Sequence, residues 1–314
     1  MKVQSLSINI PTKGCINSCK FCVSRLHQHN QYEYCGVDFD RDLRTRLQYA
    51  REEGCNTVIL TGQGEVLQTI NSINYLEKFF EANAAIKDPF LKIELQTTGV
   101  KLDAFNNPLA IKNLAYLAQR GVNTIALSVA DIFSDENNMK LQGVPTKYHF
   151  ELKSLCEAIK AKGFNLRLSL NMLKHYSPLK EEKLMARCQE LGAAQVTFRQ
   201  MYYVSQRELN QRKNKGEEIN PEEMNINDWI QNNMLSTNDN KMSIRSLQEY
   251  ILKEGTPLYR LPFGAMLYSI KGMSIVLDND CMSKSEYKDV LKYLVLRENC
   301  KLYTRWDDDG SLVF

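Results

Sequence analysis

The chain has 314 residues, 43 % of them hydrophobic and 25 % charged, the balance of an ordinary globular protein with room for one large α/β domain and an appendage, or two modest domains. Forty Lys and Arg against 37 Asp and Glu leave a net charge of +3, which neither demands a nucleic-acid partner nor excludes one. No apolar run approaches the ~18 residues of a membrane span, and nine cysteines are too sparse for a disulfide scaffold.

Gln4–Ile10 alternates polar and apolar residues and predicts a first strand with no signal peptide before it, so a cytoplasmic location is the default expectation. Phe39–Glu53 places Leu43, Leu47 and Ala50 at helical spacing and ends at Gly54. Thr57–Thr61 is an apolar, β-branched strand, Asn71–Ala85 a helix and Leu91–Thr98 a strand. Pro108–Gln119 predicts a helix with proline at its start and Gly121 past its end. Thr124–Ala130, Asn165–Leu173 and Gln195–Met201 predict strands, separated by helices over Thr146–Lys162 and Pro178–Leu191. Asp131–Pro145 reads as a long polar loop.

Strands alternating with helices predict a parallel sheet with right-handed crossovers. Six such strands are too few to close an eight-stranded barrel, so the expected fold is α/β, a partial (βα)6 TIM-like barrel over residues 1–203. Residues 204–257 are polar and Asn-rich and read as a linker or insertion with one short helix, Pro221–Met234. Residues 258–314 carry short β-like runs at Met273–Leu277, Tyr293–Leu296, Lys301–Trp306 and Leu312–Phe314, which predict a small C-terminal antiparallel β cap.

The strands are polar on one face. Lys92, Glu94, Gln96 and Thr98 oppose Ile93 and Leu95; Arg167, Ser169 and Asn171 oppose Leu166, Leu168 and Leu170; Thr197, Arg199 and Met201 oppose Val196 and Phe198. A parallel sheet covered on both sides is usually apolar throughout. The repeated polar face predicts a wet interior, with the apolar face against the helices.

The strongest chemical signal is Cys15-Ile16-Asn17-Ser18-Cys19-Lys20-Phe21-Cys22, directly after the first strand. Three close thiolates wrap one corner of an iron–sulfur cube and leave one iron open. The alternatives are a structural zinc with Cys35, His27 or His29 as fourth ligand, and chance clustering.

The C-x₃-C-x₂-C spacing, with Phe21 before the last cysteine, resembles the signature of the radical S-adenosylmethionine (radical SAM) superfamily, at the place in a βα series where that superfamily carries it. The resemblance spans about residues 4–203 by pattern. It implies one 4Fe-4S cluster on Cys15, Cys19 and Cys22, S-adenosyl-L-methionine chelated at the open iron, an oxygen-sensitive enzyme, and an external one-electron reductant of flavodoxin or ferredoxin type. Thr61-Gly62-Gln63-Gly64-Glu65 resembles the family's Gly-Gly-Glu-Pro stretch. It keeps Gly64 and Glu65 to hold the methionine amino group, but has Gln63 and Val66 at the flanks. Further cofactor contacts implied at the strand ends are Gln96, Thr98, Ser128, Asn171, Met201 and the carbonyl of Phe21.

Arg167 and Arg199, inward by alternation, either clamp an anionic substrate group or pair with Glu94. Cys281 and Cys300 lack the close spacing of a second cluster, and Cys55, Cys156 and Cys188 fit core positions. The expected function is reductive cleavage of S-adenosylmethionine with hydrogen abstraction from an unidentified substrate, an anionic small molecule or nucleotide being favoured. The competing classes are an iron–sulfur electron-transfer or sensor protein and a zinc-stabilised binding module.

Overall fold

The computed structural model describes residues 2–314 apart from 27–32, 103–107, 215, 217, 240, 263, 279–289 and 307; His27, His29 and Cys281 therefore lie outside the described residues. β1 (Lys2–Asn9) leads through the cysteine loop to α1 (Phe39–Glu52), β2 (Thr57–Thr61), α2 (Ile70–Ala85), β3 (Lys92–Thr97), α3 (Pro108–Gln119) and β4 (Thr124–Val129). Next come α4 (Asp135–Gln142), α5 (Leu152–Ala161), β5 (Asn165–Asn171), α6 (Glu181–Glu190) and β6 (Gln195–Arg199). α7 (Gln206–Asn214), α8 (Pro221–Asn233) and α9 (Ile244–Glu254) follow, then β7 (Thr256–Arg260), β8 (Met266–Ile270), β9 (Met273–Asp278), β10 (Val290–Leu296) and β11 (Leu302–Tyr303).

All six expected strands are present and pair in parallel in chain order. Antiparallel strands are present in the tail as well, continuous with the main sheet, but the expected run Lys301–Trp306 is a strand only over Leu302–Tyr303, and Leu312–Phe314 contributes only a single bridge from Leu312 to Tyr303. β9 adds in parallel to β6, and the β7–β8 hairpin extends it antiparallel. β10 adds in parallel to β1 at the opposite edge, with β11 antiparallel beyond it. One sheet thus runs β11-β10-β1-β2-β3-β4-β5-β6-β9-β8-β7. It is barrel-like and unclosed, with the tail supplying a parallel neighbour to each edge of the six-stranded core.

The alternation read from the sequence sets the packing. Leu6, Ile8, Val58, Leu60, Leu95, Leu127, Leu168 and Phe198 are buried in one apolar layer against the helices. Ser5, Ser7, Asn9, Glu94, Ser169, Asn171 and Thr197 are buried on the other face. Cys55, Cys156 and Cys188 belong to the apolar layer, and burial pushes each thiol up to about 12.

Three segments differ from expectation. The polar loop 131–145 contains α4. Ser134 accepts the Asn137 N–H at its start, Asp135 and Glu136 occupy its first turn, and Gly143 ends it in a left-handed conformation (φ 57°). These caps outweigh a residue pattern too polar to show an apolar stripe. The helix expected from Thr146 begins at Leu152, after a 3₁₀ turn over Thr146–Tyr148. The polar segment 204–257 holds three helices rather than one, because Leu209, Ile226, Ile230, Leu247 and Ile251 give each a narrow buried stripe.

Candidate active site

The cysteine loop leaves β1 at the C-terminal edge of the sheet, where Ile10 donates its N–H to Thr61 O at 2.7 Å. Its first half is held by Gln68. The side-chain Oε1 accepts the Ile16 N–H at 2.7 Å, and Nε2 donates to Thr12 O at 2.9 Å and Gly14 O at 2.7 Å. Asn17 Nδ2 donates to Thr98 Oγ1 at 3.0 Å. The second half hangs on the end of α4, with Ser18 N–H on Gly143 O at 3.2 Å and Lys20 N–H on Leu141 O at 3.1 Å. Cys22 N–H closes a turn on Cys19 O at 3.3 Å.

Two glycines make this approach possible. A Cβ on Gly64 would overlap the Gly14 carbonyl oxygen, and one on Gly143 would stand 2.5 Å from Ser18 O. Glu65 follows Gly64 and is 3 % exposed. Its Oε1 accepts Thr97 Oγ1–H at 2.6 Å; its Oε2 accepts the Thr98 N–H at 2.9 Å and Thr98 Oγ1–H at 2.8 Å. The carboxylate therefore ties the loop after β2 to the end of β3, beside the Asn17 anchor.

The thiols fit a cationic guest. Desolvation first, then the charges of Cys22 and Cys15, push the Cys19 thiol far above its ordinary value. Cys15, although solvent-accessible, is raised by desolvation and by the Glu65 and Cys22 charges. Thiolates that oppose one another's ionisation are a poor set alone and a good set around positive metal, which inverts that balance. Among the described residues no three His, Cys, Asp or Glu side chains surround one point as ligands of a single ion would.

The profile of the radical SAM superfamily matches residues 9–187, more than half of the chain, and the match begins at the end of β1 and takes in the whole cysteine loop. The chain belongs to the radical SAM superfamily. It is thus a radical SAM enzyme. Enzymes of this superfamily typically use a 4Fe-4S cluster and S-adenosylmethionine and need an external reductant. No curated protein matches the chain significantly.

Among solved structures, coproporphyrinogen III oxidase from Escherichia coli, described as a radical SAM enzyme, is similar at 13 % identity and a TM-score of 0.41, covering 90 % of this chain and 65 % of that one. Pyruvate carboxylase from Rhizobium etli is similar at 14 % identity and a TM-score of 0.29, covering 65 % and 20 %. A xylose isomerase-like TIM barrel/4-hydroxyphenylpyruvate dioxygenase fusion protein is similar at 9 % identity and a TM-score of 0.29, covering 89 % and 56 %. The assignment rests on the sequence profile and the loop, not on these likenesses. No described helix is long and apolar enough to cross a membrane.

The radical SAM strand ends bring several of the expected residues together. Asn171 Nδ2 donates to Ser128 Oγ at 3.3 Å, and Ser128 O accepts from Gln142 Nε2 at 2.8 Å. Phe21 and Met201, both 6 % exposed, share a second apolar cluster with Leu26, Leu209, Ile226 and Ile230, so α7 and α8 cover the loop beside the cysteines. Gln96 stands apart from Thr98. Its Nε2 donates to Glu94 Oε1 at 3.3 Å, and it lines the barrel interior with Arg167 and Arg199. Arg167 takes the Glu94 option, with Nη1 at 2.5 Å from Oε2. Sequence reasoning missed Gln68, Asn17 and Gly143. Their partners lie 52, 81 and 125 residues away, beyond any local spacing signal.

Proposed function

We propose that the protein holds one 4Fe-4S cluster on Cys15, Cys19 and Cys22, binds S-adenosylmethionine at the open iron, and uses it to take a hydrogen atom from a substrate inside the barrel. The observation that carries the reading is the C-x₃-C-x₂-C loop at the C-terminal ends of the strands, braced by Gln68 and Asn17 on one side and by the end of α4 on the other. When bound, the cluster and cofactor supply one-electron cleavage to methionine and a 5′-deoxyadenosyl radical. The chain's own residues position and exclude water. Glu65, Gly64 and Thr98 form the rim for the methionine end, Ser128 and Asn171 the rim for the ribose, and the Phe21 carbonyl with the backbone around Met201 meets the adenine. A flavodoxin- or ferredoxin-like protein is the electron donor in this reading.

The test is anaerobic. The protein is reconstituted with iron and sulfide, dithionite and S-adenosylmethionine are added, and 5′-deoxyadenosine is measured by chromatography. Product that disappears in a Cys15→Ala, Cys19→Ala, Cys22→Ala triple variant is the expected result. A fully loaded cluster that yields no product with or without candidate substrates would overturn the reading.

A further inference from the structure

The cysteine loop is held from two sides, and each side flanks a different cysteine. The Ser18 and Lys20 N–H groups, bonded to Gly143 O and Leu141 O, stand on either side of Cys19. Gln68 does the same for Cys15. Its Oε1 accepts the Ile16 N–H at 2.7 Å, and its Nε2 donates to Gly14 O at 2.7 Å and Thr12 O at 2.9 Å. A side-chain amide has one carbonyl oxygen and two N–H donors, so its whole complement is spent on the backbone around one cysteine. The partners also fix which way the amide faces. Only its oxygen can accept the Ile16 N–H, and only its nitrogen can donate to two carbonyls.

The backbone before Cys15 requires such a clamp. Lys13 has φ 47° and Gly14 φ 92°, both left-handed, and Lys13 is not a glycine. A residue with a side chain holds that conformation at a cost and keeps it only where its surroundings enforce it. Here the enforcing group is Nε2, which holds the carbonyls on either side of Lys13. The clamp is itself firmly rooted. Gln68 N–H closes a turn on Glu65 O at 3.2 Å, the neighbouring Thr69 caps α2 by accepting the Ser72 N–H at 3.1 Å, and Ser72 Oγ donates to Pro11 O at 2.8 Å. Cys15 is exposed, whereas Cys19 and Cys22 are half-buried. Packing therefore directs Cys15 least, and the backbone on either side of it sets where its sulfur stands.

We propose that Gln68 is the positioning residue for Cys15: its amide fixes the direction from which the first thiolate meets the cluster, while the end of α4 does so for Cys19. The proposal rests on the cluster assignment in the proposed function, and not on cofactor cleavage or on any substrate. Each ligand thus has its own anchor, and loosening one anchor frees one sulfur.

The test reads each cysteine separately. The full chain, metal-free or loaded anaerobically with iron and sulfide, is treated with iodoacetamide, and initial labelling rates at Cys15, Cys19 and Cys22 are measured by peptide mass spectrometry. The ratio of the metal-free rate to the loaded rate is the protection that the cluster gives each thiol. Gln68→Met keeps the side-chain length and removes all three hydrogen bonds. It should lower protection at Cys15 about tenfold, the worth of about one such bond, and leave Cys19 and Cys22 as in the wild type. Gln68→Glu keeps the acceptor for Ile16 and loses both donors, so it should lower Cys15 protection as well; it carries the comparison if the Met variant lacks the wild-type circular dichroism. Gly143→Ala should show the converse, with protection lost at Cys19 and kept at Cys15. Unchanged Cys15 protection in both Gln68 variants would overturn the proposal. Equal loss at all three cysteines would also overturn it, and would make Gln68 a brace for the whole loop. A wild-type chain in which loading protects none of the three overturns the cluster assignment and this proposal together. A loaded, protected chain that forms no 5′-deoxyadenosine sinks only the cleavage reading.

Discussion

The two ends of the barrel are built by different means. At the C-terminal end the cysteine loop has no regular structure of its own, and it is held by three hydrogen bonds to the Gln68 side chain and by others to Thr98, Leu141 and Gly143. At the N-terminal end the charged residues stand on regular strands, and their spacing follows from the register Ala126↔Arg167↔Gln195. A loop held by distant contacts can close around a guest assembled after folding. Charges on strands are placed once the sheet forms. The first arrangement suits a metal cluster, and the second a preformed pocket.

The largest effect should come from breaking the strand-borne charges. Arg167→Leu leaves Glu94, whose side chain is 4 % exposed, without its cation, and should cost about 3 kcal/mol in urea unfolding. If the loss is below ~1 kcal/mol, water rather than Arg167 solvates Glu94, and the contrast between the ends weakens. Next is the loop end. Glu65→Ala orphans the Thr98 N–H and two hydroxyls, and should cost about 2–3 kcal/mol while abolishing cofactor cleavage. Retained cleavage would show that Glu65 is only a brace between β2 and β3.

A smaller and more selective effect is expected from Gly143→Ala. Its left-handed backbone and the nearby Ser18 oxygen should cost about 1–2 kcal/mol, with lower iron content than a Gly163→Ala variant, whose Cβ would meet open space. Equal iron in the two variants would dissociate α4 from the cluster loop.

The smallest effect should be the pH dependence at His175. Desolvation lowers its pKa below the ordinary 6.5, against the opposing pull of Asp131, from which its Nε2 is 3.6 Å. The unfolded chain binds the proton more tightly, so this contribution is fully present above pH 6.5 and lost as pH falls through the lowered folded value. Melting temperature should drop on acidification, and His175→Gln should flatten that slope.

The cysteine loop, its place after β1, the six core strands and the polar inner face were legible in the sequence. Each is a local pattern: a spacing of thiols, or a period of two in which Arg167, Ser169 and Asn171 alternate with leucines. α4 was legible in principle from Ser134, Asp135, Glu136 and Gly143, but its polar surface hid it. The ties that seat the loop were not legible, since Ser18 and Gly143 meet only once four strands have paired.

The sequence by itself determined what this protein carries: a radical SAM cysteine motif at the end of a first strand, and an α/β chain whose strands turn a polar face to one side. Only the tertiary structure decided where the tail goes. β10 pairs with β1 across some 290 residues and β9 pairs with β6, so that the tail flanks both edges of the six-stranded core. The reason is physical. Side-chain periodicity is written within a few residues, whereas the choice of neighbour for an edge strand depends on backbone hydrogen bonds that look alike along every strand, and is settled by which apolar faces can be buried together.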